Sequence, residues 1–219
     1  MKYKGRFVLT LFSFGSLMAL NIYFGAIGQI HLWFVFLSNI LVLLSWRLGK
    51  HYDEVKYASE IDSLTKAYNR RMAFRIFEKL VKKANKKSQK IALFFIDVDH
   101  FKSINDRYGH HAGDEVLRRI SATVLQSFKG EKYIVRWGGD EFVMMMPYTD
   151  ETAVKQRHKQ MMYNISTLRD ELSIDVTVSV GCSVYPKHGV RLNDLINIAD
   201  KKMIFAKNMG KTAIGAFRR

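Results

Sequence analysis

The sequence contains a single cysteine, Cys182, among 219 residues. One cysteine excludes an intrachain disulfide, as is usual for proteins of a reducing compartment. It lies in an apolar run rich in β-branched residues, so we interpret it as a small buried side chain rather than a reactive thiol. An apolar core must therefore hold the fold together, and a chain of this length can build one.

Acidic residues are also scarce, since 20 Asp and Glu stand against 35 Lys and Arg, a formal net charge of +15. Such a balance suits phosphate-bearing ligands, nucleic acid or an anionic membrane surface. Charge alone does not choose among these partners. Nucleic acid has only the net charge in its favour, so we predict no nucleic-acid partner.

Charge is missing altogether between residues 7 and 46, where no Lys, Arg, Asp or Glu occurs. A helix of this length would be roughly 60 Å long, about twice the ~30 Å hydrocarbon core of a bilayer. We therefore predict a membrane anchor over 1–48 with two transmembrane helices, at about 7–24 and 30–46. A cleaved signal peptide and one long tilted span with an extracellular amino terminus are the alternatives. The run is too long for a signal peptide and lacks a clear cleavage site.

Basic residues flank this apolar run on both sides and favour a cytoplasmic location for both ends. Two spans satisfy that condition, because an even number returns the chain to its starting side. The predicted location is therefore the cell membrane (the inner, cytoplasmic membrane), multi-pass, with the catalytic part in the cytoplasm. The flanking residues are Lys2, Lys4 and Arg6 before the run and Arg47, Lys50 and Lys56 after it.

Residues 49–61 are polar and predict a helical linker between the anchor and a second domain over 62–219. Tyr52, Val55 and Ser59 recur at a spacing that places them near one helix face. Such a face could pair two copies of the chain.

Gly138 and Gly139 separate two runs of β-forming residues, at 132–137 and 142–146. A Gly-Gly pair at this position predicts a tight hairpin, because glycine tolerates positive φ. The carboxylates of Asp140 and Glu141 follow at once, beside a backbone that another molecule can approach closely. Acids at a bare glycine turn are suited to a magnesium-bound polyphosphate. An ordinary solvated hairpin is the competing interpretation.

A second acidic cluster favours a binding site over an ordinary solvated hairpin. Residues 91–96 form a continuous apolar run, which predicts a strand covered on both faces, and Asp97 and Asp99 follow it. Strand ends of this kind commonly carry the ligands of open α/β sheets. Elsewhere, the apolar spacing predicts helices over 71–85, 150–172 and 192–207, another after residue 114, and strands over 174–184 and 212–215. This alternation predicts an α/β sandwich on a mixed sheet.

Five motifs follow one another after residue 61: Asp62-x-Leu-Thr-x-x-Tyr-Asn-Arg-Arg71, Phe95-Ile-Asp-Val-Asp-His-Phe-Lys-x-Ile-Asn-Asp-x-Tyr-Gly-His-x-x-Gly-Asp114, Arg136-Trp-Gly-Gly-Asp-Glu-Phe142, Val178-Ser-Val-Gly181, and Ala199-Asp200 with Ala206-Lys207-x-x-Gly210. They resemble the motifs of the GGDEF domain of bacterial diguanylate cyclases, over roughly 58–219. The resemblance implies a nucleotide-cyclase palm, a five-stranded mixed sheet flanked by helices.

The resemblance also implies an activity: two GTP condense into cyclic di-GMP with release of two pyrophosphates, in a homodimer whose domains each hold one GTP. It implies Mg²⁺, or Mn²⁺, bound by Asp97, the Val98 carbonyl and Asp140. Glu141 becomes a candidate general base or second metal ligand, and Asp140 can share those roles. A non-catalytic nucleotide-binding membrane regulator is the alternative, although such relatives usually lose the signature acids kept here.

The same resemblance assigns the substrate contacts. Asn105 and Asp114 match the positions that recognise guanine, and His110 matches a position nearby. Lys102 matches a phosphate contact, and the late triphosphate contacts fall on Lys207 and Lys211. Family members usually carry Arg where this chain has Lys211, so a bidentate phosphate contact becomes a point charge.

One departure from the family pattern concerns regulation. Many members carry an Arg-x-x-Asp motif that binds the product and inhibits the enzyme. The matching positions here are Lys129-Gly-Glu-Lys132, in which a base replaces the acid. We therefore predict no product-inhibition site of that type.

Overall fold

A computed structural model describes residues 4–28 and 32–208 of the chain. The chain divides into two compact units, Met1–Glu60 and Ile61–Arg219.

The first unit is a pair of packed helices, α1 (Lys4–Ala26) and α2 (Leu32–Glu60). The Asp53 carboxylate of α2 accepts hydrogen bonds from the backbone N–H groups of Gly5 (2.9 Å) and Arg6 (3.1 Å). These N–H groups belong to the first turn of α1, so Asp53 caps that helix from outside. Farther along, the hydroxyls of Ser13 and Ser45 lie 2.7 Å apart, and the two helices therefore run antiparallel.

Among the described residues, one helix is long and apolar enough to cross a membrane, Gly5–Ala26. The first predicted span, 7–24, falls inside it. The second predicted span begins at residue 30, outside the described residues, and its remainder is the start of α2. That helix continues to Glu60, so the stretch predicted as a separate linker is the last part of α2.

The second unit is built on a five-stranded mixed sheet with the order β1-β3-β4-β2-β5. The short β1 runs parallel to β3, and the other neighbours are antiparallel. This sheet, with helices on its faces, confirms the predicted architecture. The strands are β1 (Tyr68–Asn69), β2 (Lys90–Val98), β3 (Tyr133–Arg136), β4 (Glu141–Tyr148) and β5 (Val178–Tyr185).

Two buried clusters cover the two faces of the sheet. Helices α3 and α8 cover one face, and α5, α6 and α7 cover the other. Side chains alternate between these faces along β2, so the apolar run needs both layers. The helices are α3 (Arg70–Lys86), α4 (Phe101–Tyr108), α5 (His110–Gln126), α6 (Glu151–Ser166), α7 (Leu168–Leu172) and α8 (Leu192–Asn208).

Several predicted bounds were wrong for local reasons. The single helix predicted over 150–172 breaks at Thr167, where the hydroxyls of Ser166 and Thr167 donate to backbone carbonyls of the preceding turn. The strand predicted from residue 174 begins only at Val178, because Val178 pairs with Val98, the last residue of β2. Helix α4 was not predicted; Ile104 is its single buried residue. The strand predicted at 212–215 lies outside the described residues.

Gly181 lets β5 and α8 approach each other closely. A Cβ at this position would lie 1.9 Å from the Ala199 carbonyl oxygen and 2.5 Å from the Met203 backbone nitrogen. We expect Gly181→Ala to lower the free energy of unfolding by about 2 kcal/mol, because one layer must move away from the other. Gly139→Ala is the matched control, since nothing lies within 4 Å of its added Cβ. Denaturant unfolding of both variants tests this, and equal midpoints would contradict it.

Candidate active site

Asp97 and Glu141 lie directly opposite each other on the antiparallel strands β2 and β4. Side chains at such paired positions lie on the same face, roughly 5 Å apart at Cβ. The backbone N–H of Val98 donates to the carbonyl of Asp140 at 3.2 Å, so Asp140 stays beside the end of β2. Asp140 lies in the turn before β4. The pairing places three carboxylates, 97, 140 and 141, at one edge of the sheet.

The turn that carries these acids is the predicted hairpin, but the reason predicted for its glycines was wrong. Neither Gly138 nor Gly139 has a positive φ. A Cβ on Gly138 would lie 2.3 Å from Glu141 Oε2, so any other residue there would displace the Glu141 carboxylate from its present position. Glycine thus lets the Glu141 side chain fold back over its own turn.

Arg136 holds the turn in place. Its guanidinium donates to the Gly139 carbonyl (2.7 Å) and to both carboxylate oxygens of Asp62 (3.1 and 3.2 Å). Burial raises the pKa of Asp62, but hydrogen bonds from Thr65 and the charge of Arg136 outweigh it, and the pKa lies below its usual value. Both residues belong to the motifs found in the sequence, but their pairing was not predicted.

Lys207, at the end of α8, reaches this edge from the helix layer. Its ammonium lies 2.5 Å from Asp97 Oδ1 and 3.9 Å from Asp99 Oδ1. Burial raises the pKa of Asp97, and repulsion from Asp140 and Asp99 adds to it, so the net shift is upward in spite of Lys207. The hydrogen bond to Asp97 raises the pKa of Lys207. The two shifts are compatible, because burial of the carboxylate outweighs the ion pair.

Asp99 is held by β5 and the residue before it, a contact that was not predicted. Its carboxylate accepts hydrogen bonds from Thr177 Oγ1 (2.9 Å) and Ser179 Oγ (2.6 Å), and its backbone N–H donates to the Thr177 carbonyl (3.0 Å). A cavity of about 500 Å³ opens beside Asp99, Ser179 and Lys207. Asp99 is thus a rigid anion next to a partly exposed ammonium.

Asn105 lies on α4 and Asp114 lies on α5, and these two helices pack against each other. Gly109 turns the chain between the two helices with φ +85°, a conformation that favours glycine. A Cβ on Gly113 would lie 2.0 Å from Asn105 Oδ1, so only glycine lets that amide lie against α5 next to Asp114. A cavity of about 690 Å³ adjoins Asp114 and is lined on its other side by residues 63–66. A carboxylate beside a cavity of this size suits a polar base.

Residues 59–213 match the family described as diguanylate cyclase, GGDEF domain. The chain belongs to this family. The diguanylate cyclase DosC of Escherichia coli K12 is 32% identical over 183 residues, which are 81% of this chain and 38% of DosC. The chain therefore spans about two fifths of the length of that relative.

Solved structures give the same fold. The GGDEF domain of TpbB (YfiN) from Pseudomonas aeruginosa superposes with a TM-score of 0.64 at 29% identity, over 69% of this chain and 91% of that one. A microbial GGDEF domain described for its interaction with cyclic di-GMP superposes with a TM-score of 0.62 at 31% identity, over 73% of this chain and 97% of that one.

The remaining residues assigned by the GGDEF resemblance lie apart from these contacts. Lys102, in the first turn of α4, and His110, at the start of α5, are both exposed. In the described part of the chain, no hydrogen bond or ion pair joins either side chain to the carboxylates. Lys211 lies outside the described residues.

The GGDEF carboxylates fit a divalent cation by their chemistry. Within residues 4–28 and 32–208, no three His, Cys, Asp or Glu side chains are already arranged to hold a metal ion. Burial raises the pKa of Glu141, and the charges of Asp140, Asp97 and Asp200 raise it further. Added positive charge would relieve this repulsion, and hard oxygen donors suit Mg²⁺. The Lys207 ammonium supplies part of that charge at Asp97.

Proposed function

We propose that this GGDEF protein is a membrane-anchored diguanylate cyclase that condenses two GTP into cyclic di-GMP and releases two pyrophosphates. The observation that carries the proposal is the direct cross-strand pairing of Asp97 with Glu141, with Asp140 held beside them. Two comparisons support it: DosC is named a diguanylate cyclase, and a GGDEF domain of the same fold interacts with cyclic di-GMP.

The base would be recognised between α4 and α5. The Asp114 carboxylate would accept hydrogen bonds from the N1–H and N2–H₂ groups of guanine, and the Asn105 amide would donate to and accept from the same base. His110 would lie near this contact. The triphosphate would then meet the ammonium groups of Lys102, Lys207 and Lys211, which stabilise the charge of the departing pyrophosphate.

Asp97, Asp140, Glu141 and the Val98 carbonyl would hold Mg²⁺ or Mn²⁺. A cation bound there supplies charge that neutralises the triphosphate and favours ionisation of a hydroxyl. Glu141 is the proposed general base and takes the proton of the 3′-hydroxyl of one GTP. The 3′-oxygen attacks the α-phosphorus of the other GTP, and the bond to its pyrophosphate breaks. The same exchange in the opposite direction closes the ring.

Each domain holds one GTP in this scheme, so two domains must meet as a homodimer. Helix α2, which continues from the apolar segment to Glu60, is the proposed pairing element. The anchor is proposed to be a two-span hairpin in the cytoplasmic membrane. The Asp53 cap supports that arrangement, because it keeps the start of α1 beside the polar part of α2.

The full chain, purified in detergent and incubated with GTP and Mg²⁺, is expected to yield cyclic di-GMP detectable by mass analysis. The rate should rise more steeply than in proportion to protein concentration, because two domains must meet. Asp140→Asn and Glu141→Gln are expected to lose the product, whereas Glu78→Gln, an equal change of charge on the exposed face of α3, should keep it. Equal product from all four proteins would refute the assignment, and GTP binding without product would favour the non-catalytic regulator.

We also predict that added cyclic di-GMP does not inhibit through residues 129–132. Lys132 donates to the Phe128 carbonyl, and Glu131 is paired with Lys83 and hydrogen-bonded by Tyr133, so this segment carries its own partners. Titrating the product into a turnover assay should give no non-competitive inhibition. Strong inhibition that Lys129→Ala removes would contradict this prediction.

A further inference from the structure

Lys207 is bound through its ammonium group to the carboxylate of Asp97, which is also a proposed ligand of the divalent cation. Its ammonium forms an ion pair with Asp97 at 2.5 Å, and Asp97 is the more buried partner, with 15% of its side chain exposed against 41% for Lys207. The ammonium is bound to Oδ1, and a divalent cation bound to the same carboxylate would repel it at short range. Cation binding at Asp97 therefore favours departure of the lysine.

Asp99 is the nearest acceptor for the departing ammonium. Its Oδ1 atom is 3.9 Å from Lys207 Nζ. A flexible lysine side chain can close this gap to hydrogen-bond distance by rotation about its last bonds. Its own side chain does not move easily, because the hydroxyls of Thr177 and Ser179 hold one carboxylate oxygen each. The cavity on this side of Lys207 leaves room for the displaced ammonium.

We propose that Asp99 is a positioning residue that receives the Lys207 ammonium when a divalent cation takes its place at Asp97. This inference rests on the proposed cation site. Asp99 keeps the lysine beside the site, where it faces the phosphates, instead of releasing it to solvent. The two anions thus give one lysine two defined positions, one without the cation and one with it.

Binding of Mn²⁺ to the full chain in detergent, without nucleotide, tests this inference, with free Mn²⁺ measured by electron paramagnetic resonance. Lys207→Met is expected to bind Mn²⁺ about two- to fivefold more tightly than the wild type, because no ammonium has to be displaced. Asp99→Asn is expected to bind more weakly, and by a larger factor in the wild type than in the Lys207→Met background. Lys201→Met, which removes an exposed ammonium elsewhere on α8, should change binding much less.

A second variant guards against a merely structural effect of Asp99→Asn. Ser179→Ala keeps the Asp99 charge and removes one of its two hydroxyl donors, so we expect a smaller weakening that also depends on Lys207. Equal factors for Asp99→Asn in both backgrounds would overturn the inference, since Asp99 would then act on the cation directly. Mn²⁺ binding that Asp97→Asn abolishes would still support the cation site in that event. If the wild type binds no Mn²⁺, both the cation site and the role of Asp99 are refuted.

Discussion

Asp97→Asn is expected to lower kcat for cyclic di-GMP formation by about a thousandfold, since a lost cation contact costs several kcal/mol of transition-state stabilisation. The asparagine keeps the size of the side chain and its place opposite Glu141, but it removes the charge that both Lys207 and a cation need. Initial rates at saturating GTP, measured over a range of Mg²⁺ concentrations, test this expectation.

Two controls separate this effect from a loss of folding. Glu78→Gln changes the net charge equally and should leave kcat within about a factor of two of the wild type, as expected for an exposed substitution far from the acids. The denaturation midpoint of Asp97→Asn should not fall, because burial raises the pKa of that carboxyl and disfavours its charge in the folded state. Retention of more than a tenth of the wild-type kcat would show that Asp97 is not at the reacting centre.

His158 is expected to make the protein lose about 3 kcal/mol of stability between pH 6.5 and pH 4. The ring is 4% exposed and stacks on Phe94 with 5.5 Å between centroids. Among the described residues its Nε2 atom has no hydrogen-bond partner. Burial lowers the pKa of His158 to about 4 from 6.5. Between these two pH values the unfolded chain binds a proton at His158 and the folded chain does not. The free energy of unfolding therefore falls as the pH drops from 6.5 to 4.

The control for this prediction is His158→Leu, which keeps a buried side chain of similar size and cannot take up a proton. Denaturant unfolding of both proteins at pH 7 and pH 4, followed by tryptophan fluorescence in the same detergent, gives the two losses. Acidic residues contribute to the loss of stability in both proteins. The difference between the two losses therefore gives the contribution of His158. Equal losses would mean that the ring is protonated in the folded protein.

The elements that position the carboxylates could be predicted because their signals are local. The apolar run before Asp97 specifies a strand covered on both faces, and the Gly-Gly pair specifies a turn. Helices α3 and α8 were predicted to within one residue at each end, whereas α5 begins at His110, before the predicted start. The break at Thr167 depends on side-chain hydroxyls that compete for backbone carbonyls, and apolar spacing does not register that competition.

Contacts between distant parts of the chain could not be predicted in this way. Lys207 and Asp97 are 110 positions apart, and Asp99 and Ser179 are 80 apart. Their meeting depends on the order of strands in the sheet and on the helix layer that covers it. The resemblance assigned Lys207 to phosphate alone and gave Asp99 no role, so neither contact was predicted.

The ion pair between Arg136 and Asp62 joins the first residues of the second unit to the turn that carries Asp140 and Glu141. Asp62 comes two positions after Glu60, where α2 ends. The Arg136 guanidinium donates hydrogen bonds to Asp62 and also to the Gly139 carbonyl, in the turn that bears the acids. The position of the acid-bearing turn therefore depends on the first residues of the second unit, since one guanidinium binds both. A substitution at Asp62 would act on the acids without touching any of them.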